Sequence, residues 1–455
     1  MNDYPKKVKE KLDSIINEMA QTSWLYASNP GHDFVRQDSG KLSFSDTVKS
    51  ILTMGKGSLS DEMEEYFDLS VDDIPSNSAF VQRRQQIQLS AFHHLFTEFS
   101  SSFPEVTRKF NGYTIAGIDG THIVYSTNGE ILEDFNKPKL IDRKGYNHMH
   151  LNAFVDTLSK VMLDIVIQPG QQPDERDALH TMLDRYHPDD PSRIIITADR
   201  GYESYDSIFH CLLLGFGFVF RMKAPDSCTS ILSSFSCDLP DDQGEFDVIT
   251  RRFLTDSKNK IIKQQDDVYV YMNPNKNIPH FYKLLRKHIY VLTLRVVKVK
   301  TGDNSFEYLV TNLPYSEFST DDIRDIYHLR WGAEISFRYL KHAAGLLHFH
   351  TRKPELVKQE IYARLTYYNA GIILANIASD EKRAKSKPRN TNKFLYEVDF
   401  SQSIKTVRKY LLRRPDRREV DLIRLLMKHT HAVKEAFRSF ERHLRGIGAI
   451  CFLYR

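Results

Sequence analysis

The chain reads as an α/β protein built on a mixed sheet, with helical segments before and after it. Three observations predict this. Residues 112–220 run strand, strand, strand, helix, strand, helix, strand by periodicity. The second and third strands, MHLNAFVDT and VMLDIVIQ, are separated only by LSK, which makes them a hairpin. The run at 194–197 is continuously apolar, as a strand covered on both faces is.

The elements follow in order. Residues 1–105 read as helical, with DTVKSILTMG and DEMEEYFDL as examples and SLSDE as a start signal. Residues 113–118 form a strand that ends at Asp119 before an Asp-Gly turn signal. DERDALHTMLDRY is a helix that begins at Glu175, Arg176 and Asp177, which read as capping charges. The strand at 194–197 ends at Asp199. SYDSIFHCLLLG leads through glycines into the strand FVFRMK, so residues 106–221 form the first part of the core. Residues 222–315 are strand-rich (FDVITRRF, VYVYM, HIYVLTLRVVKVK, FEYLVTNL) and are read as a β insertion, because 135 residues separate Asp199 from Glu334, far more than one crossover needs. Residues 316–380 return to the core with a helix, and 381–455 form a basic helical C-terminal region.

That returning helix, DIYHLRWGAEISFRYLK, carries the most informative pattern. Ser319 and Asp322 have capping-box spacing, and Gly345 is a stop signal. At about 100° per residue, Tyr327, Arg330, Glu334 and Lys341 share a stripe roughly 60° wide, and Arg338 adjoins it. Such a stripe is ordinarily apolar. A phenol, a guanidinium, a carboxylate and an ammonium there suggest metal-assisted chemistry on a phosphodiester. A solvated face of Glu–Lys pairs is the alternative. Asp119 and Asp199 decide against it: alone each reads as a turn residue, but two strand-end carboxylates and one helical carboxylate describe a two-metal site.

With these residues in place, the chain resembles the DDE transposases of the insertion-sequence-4 family. The signature Tyr-x2-Arg-x3-Glu-x6-Lys is met at Tyr327, Arg330, Glu334 and Lys341. IDGTH, HLNAFVDTLSKVMLDIVIQPG, ADRGYES and VTNLP are similar to that family's strand blocks, in the same order, and FVRQDSGKLSFSDTVKSIL and KQEIYARLTYYNAG match outside them. The likeness covers roughly residues 30–380. It implies an RNase H-like core in which Asp119, Asp199 and Glu334 form the catalytic, metal-binding triad for two Mg²⁺ ions, with Mn²⁺ able to substitute. It implies that Tyr327, Arg330 and Lys341 hold DNA phosphates, with Arg338 and Arg200 as further contacts. The implied activity is cut-and-paste transposition. Terminal inverted repeats of double-stranded DNA are bound by the helical N-terminal region, the ends are cleaved through a hairpin intermediate, and the 3′-hydroxyls are joined to target DNA. A homodimer in a synaptic complex, associated with the bacterial nucleoid in the cytoplasm, completes the implied picture. Tyr269, Tyr271, Phe281 and Tyr282 are the candidates in the insertion for stacking an extruded base. A structure-specific nuclease and a non-catalytic DNA-binding protein are the competing readings.

Composition fits a globular protein: 41% apolar, 27% charged and no apolar run long enough to span a membrane. Four cysteines without CxxC spacing imply neither a zinc site nor a disulfide frame. The charge is polarised. Residues 1–105 hold 10 Lys and Arg against 16 Asp and Glu, a net of −6, whereas residues 381–455 hold 20 against 8, a net of +12. The basic end, densest at KRAKSKPR and RRPDRR, is expected to offer a phosphate-binding surface, joined by Lys6, Lys7, Arg36, Lys41, Arg83 and Arg84 at the acidic end. His122 is expected to be a hydrogen-bonded strand residue, and His348, His350 and Lys353 to face solvent.

Overall fold

The computed structural model describes residues 2–34, 42–126, 133–136, 145–240, 244–258, 269–273, 278–285, 288–302, 305–385, 395–414 and 417–433. They fall into two compact units. One comprises Met1–Val106, Ile123–His148 and Phe337–Arg455; the other comprises Thr107–His122 and Met149–Ser336. Arg36, Lys41, Cys451, the 386–389 half of KRAKSKPR and the centre of RRPDRR lie outside the described residues.

The second unit is organised by a mixed sheet. Its strands are β1 (Thr114–Ser126), the short β2 (Phe135–Asn136), β3 (Tyr146–Asp156), β4 (Val161–Pro169), β5 (Ile194–Ala198), β6 (Gly217–Met222), β7 (Phe246–Thr255), β8 (Tyr269–Tyr271), β9 (Ile289–Gly302) and β10 (Ser305–Thr311). Strand order is β3-β1-β5-β6-β10-β9-β7-β8, with β4 and the two residues of β2 paired to β3. The β3–β4 hairpin is antiparallel, and β1, β5 and β6 run parallel. Parallel neighbours need crossovers. The helix Glu175–Arg185 precedes β5 and the helix Tyr205–Leu213 precedes β6. This is the mixed α/β core that the residue pattern called for.

One expectation changes. β1 does not end at Asp119. It continues through Asp119–Gly120 to Ser126, so the Asp-Gly pair is no turn. Gly120 serves a close approach instead: a Cβ there would stand 2.5 Å from Nε2 of His150 on β3. The strand-rich residues 246–311 extend the same sheet. β10 joins the core edge strand β6 in register from Tyr308↔Met222 to Thr311↔Val219. Leu254, Leu292 and Val296 lie in the same buried cluster as Ala116, Ile196 and Phe218. An uncovered β6 would be an open edge, and the added strands remove it.

The first unit is helical. Ser58 and Asp61 close a capping box on the helix Leu59–Tyr66, as SLSDE suggested. At its centre lies the 32-residue helix Pro354–Lys385, buried on all sides from Leu356 to Ser379 apart from Lys358, which is the pattern of a core helix. Arg84 and Glu360 form an ion pair at 2.9 Å, both side chains 1% exposed. His350 bonds the same carboxylate at 3.1 Å. Arg84 is thus no DNA contact, and His350 faces this network rather than solvent. Arg83 is also engaged, over the Phe34 ring. The charge polarity resolves within this unit too. Arg408 pairs with Glu62 and Glu65, and Arg414 and Arg417 reach Asp68. Part of the basic excess neutralises the acidic one.

Burial alone would raise the Glu360 carboxyl, but Arg84, His350 and Arg364 outweigh it and hold the group at about 2. A depressed carboxylate contributes stability above its unfolded value, near 4.5, and loses it as pH falls toward the folded value. Urea unfolding between pH 7 and pH 2 should therefore show a loss of stability beginning below about pH 4.5. Glu360→Gln should flatten that limb and cost on the order of 3 kcal/mol at pH 7, since it strands Arg84 in the interior.

Candidate active site

The site begins with sheet register. β1 and β5 pair in parallel from Thr114↔Ile194 to Gly117↔Thr197. The same offset of 80 residues, carried two places further, sets Asp119 opposite Asp199. Asp199 stands just past β5, where its carboxylate caps the 3₁₀ turn Arg200–Tyr202 by accepting from the Gly201 N–H at 2.8 Å.

The helical carboxylate arrives by a different route. The expected single helix is two: Thr320–Leu329, capped by the Ser319–Asp322 box, and Trp331–His342, with Arg330 at the junction. The Arg330 N–H bonds the Tyr327 carbonyl and the Ala333 N–H bonds the Arg330 carbonyl, both three residues back, so the chain tightens there. Glycines set the depth. A Cβ on Gly117 of β1 would touch the Thr157 side chain and lie 3.7 Å from the Arg330 Cα, and one on Gly332 would overlap the Thr157 carbonyl. The backbone packs against the sheet because neither position carries a side chain. Gly345 acts as the stop, with φ +82°, although the last helical residue is His342.

Arg330 is buried at 6% exposure. One guanidinium nitrogen lies 3.9 Å from Asp119 Oδ2 and another 3.1 Å from Glu334 Oε1. A single fork therefore stands between two of the three carboxylates. Burial pushes the Asp119 carboxyl up to about 6; Arg330 opposes this, and the nearby Glu334 and Asp199 carboxylates reinforce it. Three clustered acids with one cation among them form an oxygen-rich, charge-deficient site. That donor set fits hard divalent cations such as Mg²⁺ or Mn²⁺.

The remaining predicted residues separate. Tyr327 is 2% exposed and packs with Ile115, Val219, Ile323 and Ile326; its ring lies 5.7 Å from the Arg330 guanidinium carbon. It supports Arg330 from the core and does not reach outward to a phosphate. Arg200 and Arg338 are exposed, and Lys341 is half-buried. Among the aromatics, Phe281 is fully buried, which removes it as a stacking platform, whereas Tyr271 and Tyr282 are exposed. His122 is exposed, with its ring 4.6 Å from that of His150.

Glu175 lies in the first turn of its helix, as expected, but its side chain has a remote partner. The helix cap is Asp174, whose carboxylate accepts from two backbone N–H groups. Glu175 instead reaches His150 at 3.4 Å, and its oxygens lie 3.0 and 2.8 Å from where Cβ atoms would stand on Gly120 and Gly201. Buried Tyr202 has its hydroxyl pushed well up, first by burial and then by Glu175, Asp119 and Asp199 together. The signal was available: Gly120 and Gly201 each follow a triad aspartate closely, and both make room for this fourth carboxylate.

Comparison with known proteins gives the family. Residues 111–370, more than half of the chain, match the model of the transposase DDE domain, and the chain belongs to that family. It is 38% identical over 72 residues to a putative transposase of insertion sequence element IS186A from Escherichia coli K12, and equally so to the transposase of insertion sequence element IS421 from Escherichia coli. Those matches cover 16% of this chain and about a fifth of the relatives' length. Among solved structures, the piggyBac transposase synaptic complex with hairpin DNA aligns over 93% of this chain and 84% of that one, with 11% identity and a TM-score of 0.44.

The approach at Gly332 is testable by the sign of one substitution. Gly→Ala inside a helix ordinarily stabilises by about 1 kcal/mol. Gly332→Ala should instead lower the melting temperature, because the methyl meets backbone. Gly31→Ala, in open space with nothing within 4 Å, should leave it nearly unchanged.

Proposed function

We propose that this protein is a DNA transposase that cuts an insertion sequence from its ends and joins the 3′-hydroxyls to target DNA. The observation that carries the reading is the convergence of Asp119, Glu334 and Asp199 around one buried guanidinium, in a chain of the DDE family.

Asp119, Asp199 and Glu334 hold two Mg²⁺ ions, with Mn²⁺ able to substitute. When bound, the ions supply activation of the attacking oxygen and stabilisation of the leaving 3′-oxygen. The chain's own groups do the positioning. Among the described residues, Arg330 is the one cation beside Asp119, at 3.9 Å, and it holds Glu334 by a hydrogen bond at 3.1 Å. Arg338 and Lys341, one and two turns beyond Glu334, and the exposed Arg200 hold DNA phosphates. Tyr271 and Tyr282 are the stacking candidates for a base extruded during hairpin formation. Water, the hydroxyl that closes a hairpin and the hydroxyl that attacks target DNA differ only as nucleophiles, so one site serves each step. Two ends must be held together, which calls for a homodimer on paired terminal repeats.

Purified Glu334→Ala protein should still shift terminal-repeat DNA on a gel while cleavage with Mg²⁺ falls by about 10³-fold or more, the scale for losing a preorganised electrostatic group. Full cleavage by this variant would reject the assignment. Arg330→Lys should not restore Arg330→Ala, because an ammonium lacks the two-point fork. With wild-type protein, joined product supports the transposase reading, cleavage without joining supports a nuclease, and binding alone excludes both.

A further inference from the structure

A second cluster of titratable side chains lies in the same unit and includes none of the triad. His180, from the helix Glu175–Arg185, His210, from the helix Tyr205–Leu213, and His280, from the short helix Pro279–Leu284, present ring nitrogens all within 4.8 Å of one another. The rings contact pairwise, with centroids 3.8 Å apart for His210 and His280 and 5.0–5.1 Å for the pairs with His180. His210 and His280 are 2% and 6% exposed. Three imidazoles in so small a volume cannot all be charged, so their nitrogens carry lone pairs.

The surroundings orient those lone pairs. Nδ1 of His280 is 2.7 Å from Oδ2 of the buried Asp206, which leaves Nε2 for a ligand. Nε2 of His210 is 2.8 Å from Oδ1 of Asp184, which leaves Nδ1, and that atom is buried with no hydrogen-bond partner among the described residues. Nδ1 of His180 lies 3.8 Å from Oδ2 of Asp206. Two carboxylate–histidine pairs that each hold one ring nitrogen and leave the other available are the usual outer layer of a metal site. An all-protein hydrogen-bond network would not strand a buried nitrogen, since that costs free energy. His180, Asp206 and His280 line a cavity of ≈ 1010 Å³, which gives an ion a way in.

We propose that His180, His210 and His280 bind one transition-metal cation of the zinc class, with a water as fourth ligand. Neutral imidazoles select Zn²⁺, Co²⁺ or Ni²⁺ over the Mg²⁺ that suits an all-oxygen triad. Bonds of about 2.0–2.1 Å in a tetrahedron set ring centres roughly 5 Å apart, as the pairs with His180 already are, so closure turns the stacked His210 and His280 rings away from each other. The ion joins the two core helices to the helix Pro279–Leu284, which Asp206 already caps through the His280 N–H at 2.9 Å. Its place in the protein is structural: it pins the strand-rich extension to the core. This inference does not depend on the proposed DNA chemistry.

The test uses untagged, full-length protein stripped with a chelator. Zn²⁺ is titrated against a chromogenic competitor, and Co²⁺ serves as the spectroscopic probe. Wild-type protein should take up one equivalent of Zn²⁺ and give the intense visible absorption of tetrahedral, nitrogen-ligated Co²⁺. An Asp119→Asn/Glu334→Gln protein should behave identically. His210→Ala and His280→Ala should weaken uptake by about 100-fold or more. No uptake by stripped wild-type protein, or only the weak spectrum of octahedral Co²⁺, would overturn the proposal whether or not the histidine variants fold. So would uptake unchanged in both histidine variants, or lost in the Asp119→Asn/Glu334→Gln protein.

Discussion

The candidate site depends on how closely one helix junction approaches one strand. Gly117 on β1 and Gly332 just past Arg330 both face Thr157, and a side chain at either would push the helix off the sheet. That distance decides whether Arg330 reaches Asp119 and whether Glu334 reaches Arg330. Every electrostatic property of the cluster follows from it. At 3–4 Å in a partly desolvated setting, charges couple by several kcal/mol; a helix displaced by the thickness of a methyl group would lose much of that.

The break at Arg330 belongs to the same constraint. An unbroken helix carrying Tyr327, Arg330 and Glu334 on one stripe would point all three the same way. The tightened turn separates their duties. Tyr327 enters the apolar cluster with Ile323 and Ile326, while Arg330 and Glu334 stay beside Asp119. A buried phenol next to a buried guanidinium fixes that side chain from behind. The cost of burying Arg330 is offset by carboxylates on two separate elements.

What the sequence made legible was whatever periodicity and local chemistry encode. The β3–β4 hairpin, both capping boxes, Gly345 as a stop and the strand ending at Asp199 were all readable from a few adjacent residues. Contacts between distant segments were not. Asp119–Gly120 reads locally as a turn, and only the approach of His150 from β3 explains why a glycine sits inside a strand. Glu175 reads only as a helix-start charge because His150, Gly120 and Gly201, which it also approaches, are remote in sequence. The three histidines stand 30 and 70 residues apart, on helices whose packing no spacing rule anticipates. The strand content of residues 222–315 was plain, but its attachment to β6 was not, since edge pairing leaves no mark on composition.

Charge totals are coarse for a related reason. A segment at −6 and another at +12 suggest one idle end and one DNA-binding end. Yet Arg408, Arg414 and Arg417 spend charge on Glu62, Glu65 and Asp68, and Arg84 is held by Glu360 in the interior. Counterion release on binding a polyanion scales with cations that meet phosphate, and cations already paired with carboxylates contribute little to it. The proposed affinity for DNA therefore rests on fewer side chains than the net charge implies. Under the proposed function, the exposed Arg200 and Arg338 are candidates to meet phosphate beside them.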